Sequence, residues 1–129
     1  MKRIITFGTF DLFHIGHLNI LERAKAYGDY LIVGISSDQL NFSKKQKYPV
    51  CSQEQRIRII SALNCVDEVF VEESLELKAS YIKKYNADVL LMGNDWVGKF
   101  DDLKSLCNVV YLDRTPSIST TELIEIIKG

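Results

Sequence analysis

The sequence predicts an α/β fold, with a five-stranded parallel sheet and helices on both faces, formed by a single domain over residues 1–129. Five short apolar runs rich in β-branched residues alternate with polar stretches of helical spacing, as in repeated β-α-β units. Runs such as Leu31–Ile35 are apolar throughout, which is typical of strands buried on both faces of a sheet. A chain of 129 residues is long enough for one domain with one core.

The elements follow each other in a regular order. The predicted strands are Arg3–Phe7, Tyr30–Ile35, Glu68–Val71, Val89–Met92 and Val109–Leu112. Between the first two, an apolar stripe from Leu18 to Tyr27 predicts a helix that ends at Gly28, a residue that often terminates helices.

Further helices are predicted from capping signals and spacing. Ser52 with Gln55, and Ser119 with Glu122, have the spacing of capping boxes and indicate two helix starts. Apolar residues at helical spacing predict another helix over Leu75–Tyr85.

Composition excludes several classes of function. Lys and Arg number 16 and Asp and Glu number 17, so the net charge is −1 and the chain has no overall positive field to gather nucleic acid; any anion site must be local. Three cysteines without CxxC spacing indicate neither a disulfide framework nor a zinc site. No apolar run approaches the ~20 residues of a spanning helix, and the N-terminus is typical of a first strand rather than a signal peptide. We therefore expect a cytoplasmic protein without a nucleic-acid or membrane partner.

The chemically informative motifs stand directly after predicted strands, where parallel sheets bind their ligands. The first, Gly8–His17 (GTFDLFHIGH), leads into a helix whose N-terminal N–H groups and dipole favour a phosphate. His14 and His17 lie three residues apart at this helix start, so both can donate hydrogen bonds to phosphate oxygens. They are the only two histidines of the chain, which favours a phosphate site over chance proximity.

A second motif, Asp113–Thr121 (DRTPSISTT), follows the last predicted strand. Hydroxyl groups, backbone N–H groups and the Arg114 guanidinium at a helix start would form another anion site. The same residues are typical of an ordinary helix cap, and the pattern alone favours neither interpretation.

Two further stretches leave alternatives open. The polar segment Asn41–Cys51 is predicted to be a loop, and its Lys44, Lys45 and Lys47 form either a solvated charge run or a lid that closes over a triphosphate. Trp96, after the fourth strand, either packs in the core or lines a nucleotide pocket.

These motifs resemble those of the cytidylyltransferase family. GTFDLFHIGH is similar to that family's GTFDxxHxGH, and RTPSISTT to its RTxGISTT. GNDWVGKFDDL resembles the GDDWxGKFD of the bacterial glycerol-3-phosphate cytidylyltransferase branch, and the resemblance extends over essentially the whole chain. It implies a Rossmann-like nucleotidylyltransferase fold, usually a homodimer, that uses CTP with Mg²⁺ and a phosphorylated small-molecule acceptor.

The resemblance also implies a set of site residues. The implied catalytic residues are His14, His17, Lys44, Lys47 and Arg114. The implied nucleotide-binding residues are Gly8, Thr9, Phe10, Asp11, Gly16, Gly93, Asp95, Arg114, Thr115, Ile118, Ser119 and Thr120. The implied acceptor-binding residues are Arg56, Leu75, Lys78 and Asn94. No protein ligand for the metal is expected, because Mg²⁺ keeps its waters and is held largely by the triphosphate.

Three positions differ from the glycerol-3-phosphate branch. Asn94 replaces an Asp, Leu75 replaces a Trp near the acceptor, and Ser117 replaces a Gly. The default acceptor is glycerol 3-phosphate, for the synthesis of a capsule or teichoic acid precursor. Phosphoglutamine, phosphoethanolamine and phosphocholine are alternative acceptors, and a non-catalytic CTP-binding sensor is the alternative of another class.

Overall fold

The computed structural model describes residues 1–113. Its strands are β1 (Arg3–Gly8), β2 (Tyr30–Ser36), β3 (Glu68–Glu72), β4 (Val89–Gly93) and β5 (Asn108–Leu112). Its helices are α1 (Ile15–Ala26), α2 (Asp38–Lys45), α3 (Gln53–Ser61) and α4 (Lys78–Lys84), and short 3-10 turns cover Leu75–Leu77, Asn94–Trp96 and Asp101–Ser105. No helix of this described part of the chain has both the length and the apolar character needed to cross a lipid bilayer.

The five strands form one sheet in the order β3-β2-β1-β4-β5, with every neighbouring pair parallel. The predicted α/β class and the five strands are therefore confirmed. β1 pairs with β2 along its whole length but with β4 only at Ile4 and Ile5. The carboxyl ends of β1 and β4 consequently separate, and a crevice opens where the strand order reverses.

Side chains that alternate along the strands build a core on each face of the sheet. On one face, Ile4 packs in a cluster with Leu21 of α1 and Ile60 of α3. On the other face, Ile5 packs in a cluster with Ile82 of α4. Helices therefore cover both faces, as predicted, and the alternation follows from the two-residue period of a strand.

The helix boundaries agree with most of the capping signals. Ser52 and Gln55 form the predicted capping box at the start of α3. The helix predicted over Leu75–Tyr85 is a 3-10 turn followed by α4. The capping box predicted at Ser119 lies outside the described residues.

The prediction of a loop over Asn41–Cys51 is wrong in its first half. Helix α2 includes Asn41 and continues to Lys45, with Ser37 accepting a hydrogen bond from the N–H of Leu40 at its start. Gln46 then adopts a left-handed conformation (φ 60°) and ends the helix. The polar sequence concealed this helix because its stability comes from buried polar contacts rather than from an apolar stripe.

A glycine in the centre of the sheet permits an aromatic contact across β2. Gly34 lies opposite Phe7 of β1 and Phe70 of β3, and the two rings meet edge to face with centroids 5.8 Å apart. A Cβ atom at Gly34 would come within 2.7 Å of both rings. The two rings thus occupy the space that a side chain on the central strand would need.

We expect Gly34→Ala to lower the free energy of unfolding by roughly 1–3 kcal/mol, because the added methyl group overpacks this contact. Gly93→Ala is the matched control, since a Cβ atom there meets only Ile20, at 3.7 Å. Urea unfolding of the two variants measures the difference, and equal stability of both would contradict the argument.

Candidate active site

A cavity of about 660 Å³ lies at the carboxyl ends of β1 to β4. This volume is typical of small-molecule sites. Most of the predicted site residues that the structure describes line this cavity: Gly8, Thr9, Phe10, Asp11, His14, Gly16, His17, Lys44, Lys47, Leu75, Lys78, Gly93 and Asp95. Arg114, Thr115, Ile118, Ser119 and Thr120 lie outside the described residues.

The loop between β1 and α1 has an unusual backbone conformation. Phe10 and Leu12 have φ angles of 55° and 47°, in the left-handed region that residues other than glycine seldom adopt. The buried Phe10 ring packs against Gly8, where a Cβ atom would lie within 2.8 Å of it. Strained conformations of this kind are concentrated in loops that hold ligands.

The two histidines are held by the backbone at the start of α1. The N–H of Gly16 donates to Nδ1 of His14 (3.0 Å), and the N–H of His14 donates to Nδ1 of His17 (3.2 Å). The rings stack with centroids 3.8 Å apart. Because both Nδ1 atoms accept hydrogen bonds, the neutral form of each ring carries its proton on Nε2.

His17 is uncharged at neutral pH. Burial lowers its pKa to about 4, the nearby His14 contributes in the same direction, and Asp11 opposes the shift. The ring is therefore a neutral donor through Nε2–H. This arrangement suits a hydrogen bond to a phosphate oxygen and does not suit the storage of a proton.

Asp11 connects the loop after β1 to the segment before α3. Its carboxylate accepts hydrogen bonds from the N–H groups of Val50 (2.7 Å), Cys51 (2.8 Å) and Leu12 (3.1 Å). The resemblance implied a contact with the nucleotide, and these bonds add a structural role. They fix the cavity wall at Tyr48–Val50 relative to the histidine loop.

Asn41 anchors the lysine-bearing helix α2 to the same loop. Its side chain is 2% exposed, and its Oδ1 accepts from the Thr9 hydroxyl (2.8 Å) while its Nδ2 donates to the carbonyl oxygen of Ser37 (2.9 Å). Thr9, expected to contact phosphate, is thus hydrogen-bonded to the protein. The sequence analysis missed Asn41, although an asparagine one turn after a helix cap is a signal that could have identified it.

The lysines Lys44, Lys45 and Lys47 line the cavity from the end of α2 and the residues after it. Burial lowers the pKa of Lys44, and Glu72 partly opposes this effect. The structure therefore places ammonium groups beside the histidine loop, as a triphosphate site requires. Lys44 and Lys45 stand on the anchored helix α2, whereas Lys47 follows its end and stays in the segment for which the lid interpretation is open.

The position of Arg56 corrects the expectation that it contacts the acceptor. Arg56 is fully buried and does not line the cavity. Its guanidinium donates to the carbonyl oxygens of Ser36 (2.7 Å), Thr9 (3.0 Å) and Cys51 (3.2 Å). It also pairs with the Asp38 carboxylate at 2.7 Å. An arginine one turn before Ile60, on the inward side of α3, is the sequence signal for this role.

Lys78 and Leu75 line the cavity, as expected of residues that face an acceptor. Lys78 is 4% exposed and forms an ion pair with Glu72, a buried carboxylate that the sequence analysis missed. Burial lowers the pKa of Lys78, whereas Glu72 acts to raise it. This end of the cavity thus offers a single desolvated ammonium group.

Asn94 is placed differently from the expectation. It does not line the cavity, and its Nδ2 donates to Oδ1 of Asp113 at 3.0 Å. This contact joins the ends of β4 and β5, so the structure gives Asn94 a structural contact in place of the expected contact with the acceptor. Trp96 lines the cavity and packs on Phe100, which favours the pocket interpretation over the core interpretation.

Comparison with known proteins connects this geometry to a family. Residues 5–126 match the family model described as Cytidylyltransferase-like. The chain is 53% identical to the glycerol-3-phosphate cytidylyltransferase of Bacillus subtilis (strain 168), over 100% of this chain and 99% of the relative. It is 35% identical to a probable ethanolamine-phosphate cytidylyltransferase of Encephalitozoon cuniculi, over 96% of this chain and 40% of that protein. In fold it is similar to a lipopolysaccharide core biosynthesis protein from Thermoplasma volcanium, with a TM-score of 0.78 and 23% identity over 89% of this chain and 98% of the other.

The depressed pKa of His17 predicts a pH dependence of stability. An unfolded histidine takes up a proton near pH 6.5, whereas His17 in the folded chain does so only near pH 4. Between these two pH values the unfolded state binds more protons than the folded state. The contribution of His17 to the free energy of unfolding is therefore complete above pH 6.5 and is lost as the pH falls towards 4. Urea unfolding at pH 7.5 and 5.0 should show a larger loss for the wild type than for His17→Gln. Equal losses would contradict the burial of a neutral His17.

Proposed function

The chain belongs to the cytidylyltransferase-like family and is a CTP-dependent nucleotidyltransferase, and we propose from this premise that it transfers CMP from CTP to glycerol 3-phosphate with release of pyrophosphate. The observation that carries the choice of acceptor is the 53% identity, over the full length of both chains, to a glycerol-3-phosphate cytidylyltransferase. The product would be an activated glycerol phosphate for a capsule or teichoic acid precursor.

The reaction requires no protein base. A phosphate oxygen of the acceptor attacks the α-phosphorus of CTP, and the bond from that phosphorus to the bridging oxygen breaks, so that pyrophosphate leaves in line. The attacking oxygen is already ionised at pH 7. Catalysis then consists of positioning the reactants and stabilising the charge of the transition state.

The two histidines would stabilise the charge on the α-phosphate. Their Nδ1 atoms are occupied by backbone N–H groups, so each ring can present Nε2–H to the phosphate oxygens. Since His17 is neutral at pH 7, it donates a hydrogen bond without first having to take up a proton. Donors fixed in this way need no reorganisation during the reaction.

The lysines at the end of α2 would neutralise the pyrophosphate group as it leaves. Lys44 and Lys47 line the same cavity as the histidines, and the resemblance adds Arg114 to this role. Gly8, Phe10, Gly16, Gly93 and Asp95 would form the nucleotide pocket, and Trp96 extends its wall. Lys78 and Leu75 would face the acceptor.

Magnesium would enter with CTP and supply positive charge on the phosphates. Within residues 1–113 no group of three or more His, Cys, Asp or Glu side chains is arranged to hold a metal ion. We expect the triphosphate to carry this ion together with its waters, because Mg²⁺ takes few protein ligands. The homodimer that the resemblance implied and the cytoplasmic location expected from the sequence stay predictions.

A panel of acceptors tests the proposal. With saturating CTP, kcat/KM for glycerol 3-phosphate should reach ~10⁴ M⁻¹s⁻¹ or more and exceed the values for phosphoethanolamine, phosphocholine and phosphoglutamine. Phosphoethanolamine is the alternative that the relative from Encephalitozoon cuniculi favours. A higher value for any other acceptor would overturn the choice of glycerol 3-phosphate, and CTP binding without turnover would favour a sensor.

His17→Ala should lower kcat on the order of 10²–10³-fold, because it removes a donor that acts mainly in the transition state. The dissociation constant of CTP and the unfolding midpoint at pH 8 serve as controls for binding and folding. A folded variant with nearly unchanged kcat would show that His17 has no catalytic role.

A further inference from the structure

A buried carboxylate lies unexpectedly within a cavity that is suited to phosphate groups. Glu72, the last residue of β3, lines the cavity and is 1% exposed. Its partner Lys78, at the start of α4, is 4% exposed. Removing both charges from water is unfavourable unless each is paired and hydrogen-bonded. The position of this pair at the edge of a ligand site therefore indicates a role in the site.

The contacts of the pair fix the direction of the lysine. Lys78 Nζ donates to Oε2 of Glu72, and the Ser36 hydroxyl lies 3.4 Å from Oε1 of the same carboxylate. The ammonium lies 4.2 Å from the centre of the Phe7 ring and 5.4 Å from that of Phe100. An ammonium group has three N–H donors. In the described part of the chain, Glu72 is its only hydrogen-bond partner, so Lys78 retains donors for an anionic oxygen.

The same contacts determine the pH up to which Lys78 keeps its proton. Burial lowers the pKa of Lys78, and Glu72 acts against it through both its charge and its hydrogen bond. Within residues 1–113, Lys44 of α2 is a further charged side chain that interacts with this pair: Glu72 acts to raise its pKa, and Lys78 acts to lower it. The rings of Phe7 and Phe100 also lie close to the ammonium and do not titrate.

We propose that Glu72 is a positioning residue that fixes the Lys78 ammonium over the Phe7 ring for the phosphate of the acceptor, and that it thereby sets the upper pH limit of acceptor binding. This role rests on the proposed function, since it requires an acceptor that carries a phosphate group. Glu72 itself is an anion, so it would repel the phosphate of the acceptor. It acts through Lys78.

The test compares Glu72→Gln with Glu73→Gln, which removes the same charge from an exposed neighbour. The measurement is kcat/KM for glycerol 3-phosphate from pH 6 to 10 at saturating CTP, where the triphosphate takes over as the partner of Lys44. In Glu72→Gln the alkaline limb of this profile, where kcat/KM falls as the pH rises, should shift to a lower pH by about one unit or more. The reason is that loss of an adjacent opposite charge shifts the titration of Lys78 by about that amount. The loss should appear in KM, with kcat changed little, and should shrink to a few-fold at pH 6. Glu73→Gln should follow the wild type.

Each of the other possible results would contradict either the role of Glu72 or the proposed function. A loss in Glu72→Gln that is equal at all pH values, or no loss, would show that Glu72 does not act by keeping Lys78 charged. If Glu72→Gln does not fold, Glu72→Asp, which retains the charge on a shorter side chain, should move the limb in the same direction by less, and an unmoved limb would overturn the proposal. Absence of turnover by the wild type with every phosphorylated acceptor would overturn the proposed function as well, whereas a normal wild type with an unmoved limb overturns only the role of Glu72.

Discussion

The buried guanidinium of Arg56 is the interaction on which the geometry of the site depends. It reaches backbone carbonyls at the ends of β1 and β2 and before α3, and it pairs with Asp38 at the start of α2. A fully buried charge is tolerated only when such partners surround it, and loss of one partner of a buried pair typically destabilises a fold by about 3–5 kcal/mol. Arg56 thus holds the loop between β1 and α1 and the lysine-bearing helix α2 in fixed relative positions, as one polar frame, although it does not line the cavity itself.

This frame suits the proposed reaction, which requires neither a protein base nor a covalent intermediate. The donors must be in place before the reaction, because electrostatic stabilisation is effective only when the groups need not reorganise. Backbone N–H groups hold both histidine rings, and Asn41 holds α2. Asp11 holds the part of the cavity wall at Val50. Hydrogen bonds from the backbone therefore fix the donor direction of the two histidine rings, and Asn41 fixes the position of the helix that carries Lys44.

The sequence predicted the elements well and the polar frame poorly, for one physical reason. Strands such as Leu31–Ile35 and the capping box at Ser52 leave local patterns, because their causes lie within a few residues. The contacts of Asp11 with Val50, or of Arg56 with Thr9, join residues 39 and 47 positions apart, mostly through backbone atoms that every residue possesses. No residue spacing in the sequence indicates these contacts. The expectation that Arg56 faces the acceptor failed because a motif states which residue is present and not which way it points.

The charges of the cavity show why a carboxylate stands among so many cations. Lys44, Lys45, Lys47 and Lys78 all line it, and repulsion by Lys45 and Lys78 acts to lower the pKa of Lys44. The negative charge of Glu72, which is itself almost completely buried, opposes this repulsion. When a triphosphate binds beside α2, it supplies the negative charge that Lys44 otherwise shares with Glu72. The carboxylate is then left to Lys78 alone, so filling the nucleotide site should strengthen the pairing that prepares the acceptor site. On the role proposed for Glu72, binding of the two substrates would therefore be coupled through a shared charge.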